Sequence, residues 1–174
     1  DVSTNGGRTA FSRSVAGAAI TVIPADDFTP VTDAPIMSNL DGDQVEYIIR
    51  SGGVNLDAGG DALVTDEEGS FAGGQLSVKI VANGVTSEEL LTLHTSADVS
   101  LGGSFKGAPV TVDGITIATL THTITPGKEL VVQLNELATA ATVTKLVQAL
   151  RYENTNRVNP DQRDRTLRIS LTDG

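Results

Sequence analysis

Short runs of alternating apolar and polar residues recur along this chain, and glycine-containing turn pairs break them at short intervals. An alternation of period two puts every second side chain on one face of a strand, so the pattern selects sheets that bury one face. It predicts strands over 15–23 (VAGAAITVI), 44–49, 54–56, 75–82 (QLSVKIVA), 88–94, 109–113, 114–121, 129–134 and 165–172 (RTLRISLT). Turn signals separate them at Asp41-Gly42, Gly59-Gly60, Gly73-Gly74, Asn83-Gly84, Gly102-Gly103 and Asp113-Gly114. The clearest is VTV-Asp113-Gly114-ITI, where an Asp-Gly pair between two β-branched runs meets the needs of a two-residue type I′ hairpin. Many short strands joined by glycine-rich turns give an all-β fold, a β-sandwich.

One stretch departs from that period. Between Thr139 and Leu150 the apolar residues Val143, Leu146, Val147 and Leu150 fall at i, i+3, i+4 and i+7, a single helical stripe, and Thr139 can cap the first amides. The expectation is one short helix near 139–150 packed on the sheets. The segment Pro24 to Pro35 (PADDFTPVTDAP) concentrates proline and aspartate and reads as an extended linker between modules.

Composition narrows the function classes. Aromatic residues are only 3% of the chain and Trp is absent, so the core rests on Val, Leu, Ile and Ala, and no aromatic platform for sugars or bases stands out. The 22 acidic residues outnumber the 12 basic ones, for a net charge of -10, which disfavours nucleic acid and anionic membranes and favours cations. No uninterrupted apolar run is long enough to insert into a membrane. With no Cys, disulfides, thiolate catalysis and Cys-ligated zinc are excluded, and metal ions become the available staple for a secreted domain.

The acidic residues cluster on turns. Calcium takes six to eight hard oxygen ligands, and closely spaced carboxylates on glycine-containing loops can wrap it. Asp41 and Asp43 flank Gly42; Asp61 precedes Asp66, Glu67 and Glu68; Asp33 lies in the proline-rich segment; Asp173 closes the last strand. The candidate calcium ligands are therefore Asp33, Asp41, Asp43, Asp61, Asp66, Glu68 and Asp173. The plainer alternative is that they are solvated turn carboxylates, since Asp favours turns. His94 and His122 sit alone in apparent strands, no nucleophile elbow or nucleophile-base pair is visible, and no paired carboxylates come with an aromatic-lined cleft. The expectation is a chain that is not an enzyme.

Four segments, TDAPIMSNLDGD (32–43), LDAGGDALVTDEE (56–68), ATAATVTKLVQALRYENTN (138–156) and RTLRISLTDG (165–174), supported by FAGGQLSVKIVANGV (71–85), together resemble the cadherin-like, VCBS-type tandem repeats of large exported bacterial adhesins of the RTX kind. The resemblance implies an Ig/cadherin-like β-sandwich, export to the cell surface or medium, calcium held by acidic loops and linkers, and a role in adhesion or biofilm architecture. On it, residues 1–23 supply the final strand of a preceding or permuted repeat, 24–35 the linker and 36–174 the repeat itself. Neighbouring repeats of the same polypeptide are the expected partners, with a cell-surface glycan or protein as a further one. The alternative is a carbohydrate- or protein-binding head on the same sandwich. One departure stands out: where such repeats carry Glu-Gly on the first strand, this chain has Ile49-Arg50, which places a junction ion of that type in question.

Overall fold

The computed structural model describes residues 34–174; the strand expected at 15–23, most of the proline-rich segment and Asp33 lie outside the described residues. Within them the chain forms β1 (Ile36–Ser38), β2 (Val54–Asn55), β3 (Leu63–Thr65), β4 (Gln75–Ala82), β5 (Glu89–Leu93), β6 (Val99–Leu101), β7 (Pro109–Val112), β8 (Ile115–Leu120), β9 (Leu130–Leu134), α1 (Ala140–Gln148), β10 (Leu150–Asn154) and β11 (Thr166–Leu171). The fold is all-β with one short helix, as the period-two pattern requires. A six-stranded sheet runs in the order β11-β4-β9-β8-β7-β6, a three-stranded sheet in the order β2-β10-β5, and β1 pairs with β3.

Alternation decides what is buried. Leu76 and Val78 of β4, Leu91 and Leu93 of β5, Val110 and Val112 of β7, Ala118 and Leu120 of β8, and Val132 and Leu134 of β9 enter one core shared by the larger sheets. Between β7 and β8 both Asp113 (φ 51) and Gly114 (φ 80) take positive φ, and Val112 pairs with Ile115, as a type I′ hairpin demands. Thr139 caps α1: its hydroxyl accepts from the Thr142 amide (3.3 Å), while the Thr142 hydroxyl accepts from the Thr139 amide (2.9 Å). Val143, Leu146 and Val147 are fully buried. Lys145, on the other side of α1, bonds both oxygens of Asp113 at 2.7 and 2.9 Å and so ties the helix to the β7–β8 turn.

Two expectations need correction. Residues 44–49 form no strand: Val45, Ile48 and Ile49 are exposed, and the chain turns at Ile48–Ser51, where Arg50 takes φ 71. Alternation alone does not make a strand; a ladder partner must be present, and among the described residues this stretch has none. Tyr47 anchors it, edge-on to Tyr152 at 5.4 Å and donating its hydroxyl to the Asn154 carbonyl at 3.0 Å. The helix also stops early, at Gln148, because the Leu150 backbone is taken up in β10 opposite Leu93; its side chain is buried all the same.

Candidate cation site

The site forms where the loop leading into β4 meets the chain leaving β11. Pairing of β11 with β4 continues one residue past the strand, since the Thr172 amide donates to the Gln75 carbonyl (2.9 Å) and the Gln75 amide donates to the Thr172 hydroxyl (3.0 Å). That continuation carries Asp173 alongside the loop containing Asp66 and Glu68. One carboxylate oxygen from each of Asp66, Glu68 and Asp173 lies within 4.8 Å of the others.

Asp66 shows the strain of this arrangement. Its Oδ2 accepts the Gly69 amide at 2.6 Å and shapes the loop, but its Oδ1 is buried and has no hydrogen-bond partner among the described residues. A buried, unsatisfied carboxylate oxygen costs roughly 1–3 kcal/mol, more when the group is charged. Like charges at this spacing add about 1 kcal/mol per pair even in bulk water. A hard cation removes both penalties. Calcium–oxygen distances of about 2.3–2.6 Å place opposite ligands of one ion about 5 Å apart, so three oxygens within 4.8 Å suit a shared ion. Oxygen-only carboxylate donors suit calcium or magnesium and not a metal that prefers sulfur or imidazole.

The other expected ligands lie elsewhere. Asp41 is exposed on its turn. The Asp43 Oδ2 accepts the Ala58 amide at 2.8 Å and stitches two loops together. Asp61 is exposed, and its backbone amide donates to Asp57 at 3.3 Å. Among the described residues, Asp66, Glu68 and Asp173 are the one group of three or more His, Cys, Asp or Glu side chains close enough to hold an ion.

Sequence reasoning passed over Asp57. It is buried, and its carboxylate accepts the amides of Gly60 (2.9 Å), Asp61 (3.3 Å) and Ala62 (3.0 Å), so both oxygens serve as a turn staple. The signal was present in Asp57-Ala58-Gly59-Gly60, an Asp ahead of a glycine pair, which favours such side-chain-to-backbone bonds.

A second polar cluster organises the loop between β10 and β11. Glu89 is 1% exposed and pairs with the Arg165 Nε at 2.5 Å, while its other oxygen accepts the Val85 amide. Arg165 also reaches the Asp161 carboxylate (3.1 Å) and carbonyl (3.0 Å). Asn156 donates to Glu88 at 2.8 Å and, with help from the Asp161 amide and Asn154, holds the Glu88 carboxyl below its ordinary range. The guanidinium and amide of Arg163 hold Asp161 well below the usual carboxylate range. Arg163 pairs with Asp161, and Arg165 bridges Asp161 and Glu89, so the charges are matched within the cluster, which marks a structural network.

The histidines are also engaged structurally. His94 Nδ1 lies 2.6 Å from an Arg151 guanidinium nitrogen, and His122 Nε2 donates to the Glu129 carbonyl at 2.5 Å. A cleft of about 230 Å³ at the end of β4 is lined by Lys79, Thr86, Glu89, Lys128 and their neighbours, and the Glu89 carboxylate facing it is already committed to Arg165 and Val85. Among the described residues no helix is long and apolar enough to cross a membrane. Comparison of the chain with known families, curated proteins and solved structures finds no match.

Proposed function

We propose that this chain is a non-enzymatic, calcium-binding structural or adhesive module of a large bacterial extracellular or cell-surface protein. Its β-sandwich gives reach, and calcium makes it stiff. The observation that carries the reading is the buried Oδ1 of Asp66, which has no hydrogen-bond partner among the described residues, beside Glu68 and Asp173. A module needs a reason to leave a carboxylate oxygen unsatisfied, and a bound cation is the one its neighbours can supply. The acidic balance of the whole chain, net -10, favours the same ion. The extracellular setting rests on the resemblance of residues 32–43, 56–68, 138–156 and 165–174 to repeats of exported adhesins.

Asp66, Glu68 and Asp173 would hold the ion, and water would complete its shell. Calcium would there clamp the exit of β11 onto the loop before β4. An ion bound only by the folded state stabilises by RT ln(1 + [L]/Kd), about 2.7 kcal/mol at a hundredfold excess. At roughly 2–4 °C per kcal/mol for a domain of this size, the thermal midpoint rises by about 5–10 °C. Magnesium does less, because it insists on a tighter octahedron and keeps its waters. Asp66→Asn abolishes most of the shift while leaving the metal-free fold intact. A midpoint that responds to millimolar calcium no more than to sodium at equal ionic strength refutes the proposal.

A further inference from the structure

We infer that Gly74 and Gly174 are positioning residues of the cation site, an inference that rests on the calcium reading above. Neither offers a side-chain ligand. Each is small because two backbones run against each other where Asp173 is delivered to Asp66 and Glu68. A Cβ on Gly74 would overlap the Thr172 carbonyl and sit 2.9 Å from the Asp173 Cα and carbonyl carbon. A Cβ on Gly174 would sit 2.5 Å from the Ala72 carbonyl oxygen, 3.4 Å from the Ala72 carbonyl carbon and 3.5 Å from that of Gly73. Real Cβ atoms do not approach backbone so closely, so either substitution pushes the 172–174 segment off the 72–74 loop. Gly174 also holds φ +126, a conformation that side chains resist.

The consequence is specific to Asp173. Asp66 and Glu68 are two residues apart on one loop and stay together whatever happens at β11. Asp173 is placed instead by the main chain on either side of it: Thr172 pairs with Gln75 next to Gly74, and Gly174 lies against Ala72. The glycines therefore set whether the third carboxylate reaches the other two. A cation that needs all three feels the displacement directly, whereas a shift at Gly174 lies beyond the last β11–β4 bonds, at Thr172, and leaves the ladder in place.

The test uses the full chain and calcium chloride, with affinity read by titration calorimetry and the thermal midpoint read with and without the ion. Gly174→Ala keeps every carboxylate and touches no strand, so its metal-free midpoint stays within about 2 °C of the parent. Its calcium affinity falls roughly 10–100-fold, the cost typical of residues that orient a metal ligand. Gly74→Ala acts the same way with a larger loss; because it adjoins β4 it could also lower the metal-free midpoint, which is why Gly174→Ala decides. Gly107→Ala is the control. Gly107 has φ +87 and nothing within 4 Å of an added Cβ, so it imposes backbone strain without a clash and leaves affinity unchanged. Parental affinity in Gly174→Ala, or a loss there no larger than in Gly107→Ala, overturns the inference and leaves the site standing. A metal-free midpoint that drops by as much as the calcium-bound one makes Gly174 structural and overturns it too. A parent chain that does not bind calcium is a different result, the failure of the calcium reading itself.

Discussion

Replacing Arg165 with methionine tests whether the buried network, and not the acidic surface, holds the β10–β11 loop. Arg165 and Glu89 have side chains 8% and 1% exposed, so the ion pair sits almost wholly out of water. Methionine fills much of the same space but leaves the Glu89 carboxylate with the Val85 amide as its remaining partner. Breaking one side of a buried pair costs about 3–5 kcal/mol, mostly because the surviving charge is stranded. At about 3 °C per kcal/mol, the thermal midpoint of Arg165→Met drops by about 10–15 °C. The double variant Glu89→Leu with Arg165→Met separates the stranded charge from simple loss of contacts. Removing both charges is often near neutral, so the pair recovers at least half of the single variant's loss. It does not recover all of it, because Arg165 also holds the Asp161 carboxylate and carbonyl. Urea denaturation followed by circular dichroism reads the free energies, provided the slope stays constant across the variants. A single variant within 1 kcal/mol of the parent, or a double variant no better than the single, refutes the account of Glu89 as a charge kept buried by Arg165.

Leu146 is fully buried on α1, so Leu146→Ala opens a cavity and costs about 2–5 kcal/mol by chemical denaturation; a cost below 1 kcal/mol places the helix outside the core. The acid side of the stability profile reports Glu88 and Asp161. Folding lowers both from their ordinary values of 4.5 and 3.8, Glu88 chiefly through Asn156 and Asp161 chiefly through Arg163. Their contribution is therefore complete above those ordinary values and is lost as pH falls through the lower folded ones. Thermal midpoints measured from pH 7 to pH 3 stay level to about pH 5 and then fall, and Glu88→Gln makes the fall shallower; an unchanged slope in Glu88→Gln removes Glu88 from the account.

The parts of the fold legible in the sequence are those long enough to show a full period. The eight residues of β4 carry three full polar–apolar cycles, Gln75 to Ile80, and the strand spans the run the pattern predicts, while the Asp113-Gly114 turn is dictated by φ alone. β1, β3 and β6 span three residues each, too few for alternation to differ from chance, and β10 was hidden because its first residue also completes the helical stripe. Residues 44–49 show the opposite error: a good local pattern with no neighbour to pair with among the described residues.

The candidate site divides along the same line. Asp66 and Glu68 share a loop, so their proximity follows from sequence spacing, but Asp173 is brought to them by the β4–β11 ladder. Sequence can nominate all seven carboxylates because each sits near a turn, and it has no means to say which of them the sheet will gather. Asp43 and Asp57 make the point from the other side. Both are as acidic and as close to glycine as Asp66, yet Asp43 accepts the Ala58 amide and Asp57 accepts three amides of its own loop. What singles out Asp66 is the oxygen for which the backbone left no donor, and a cation is the partner that an oxygen in that position, with two further carboxylates beside it, can still acquire.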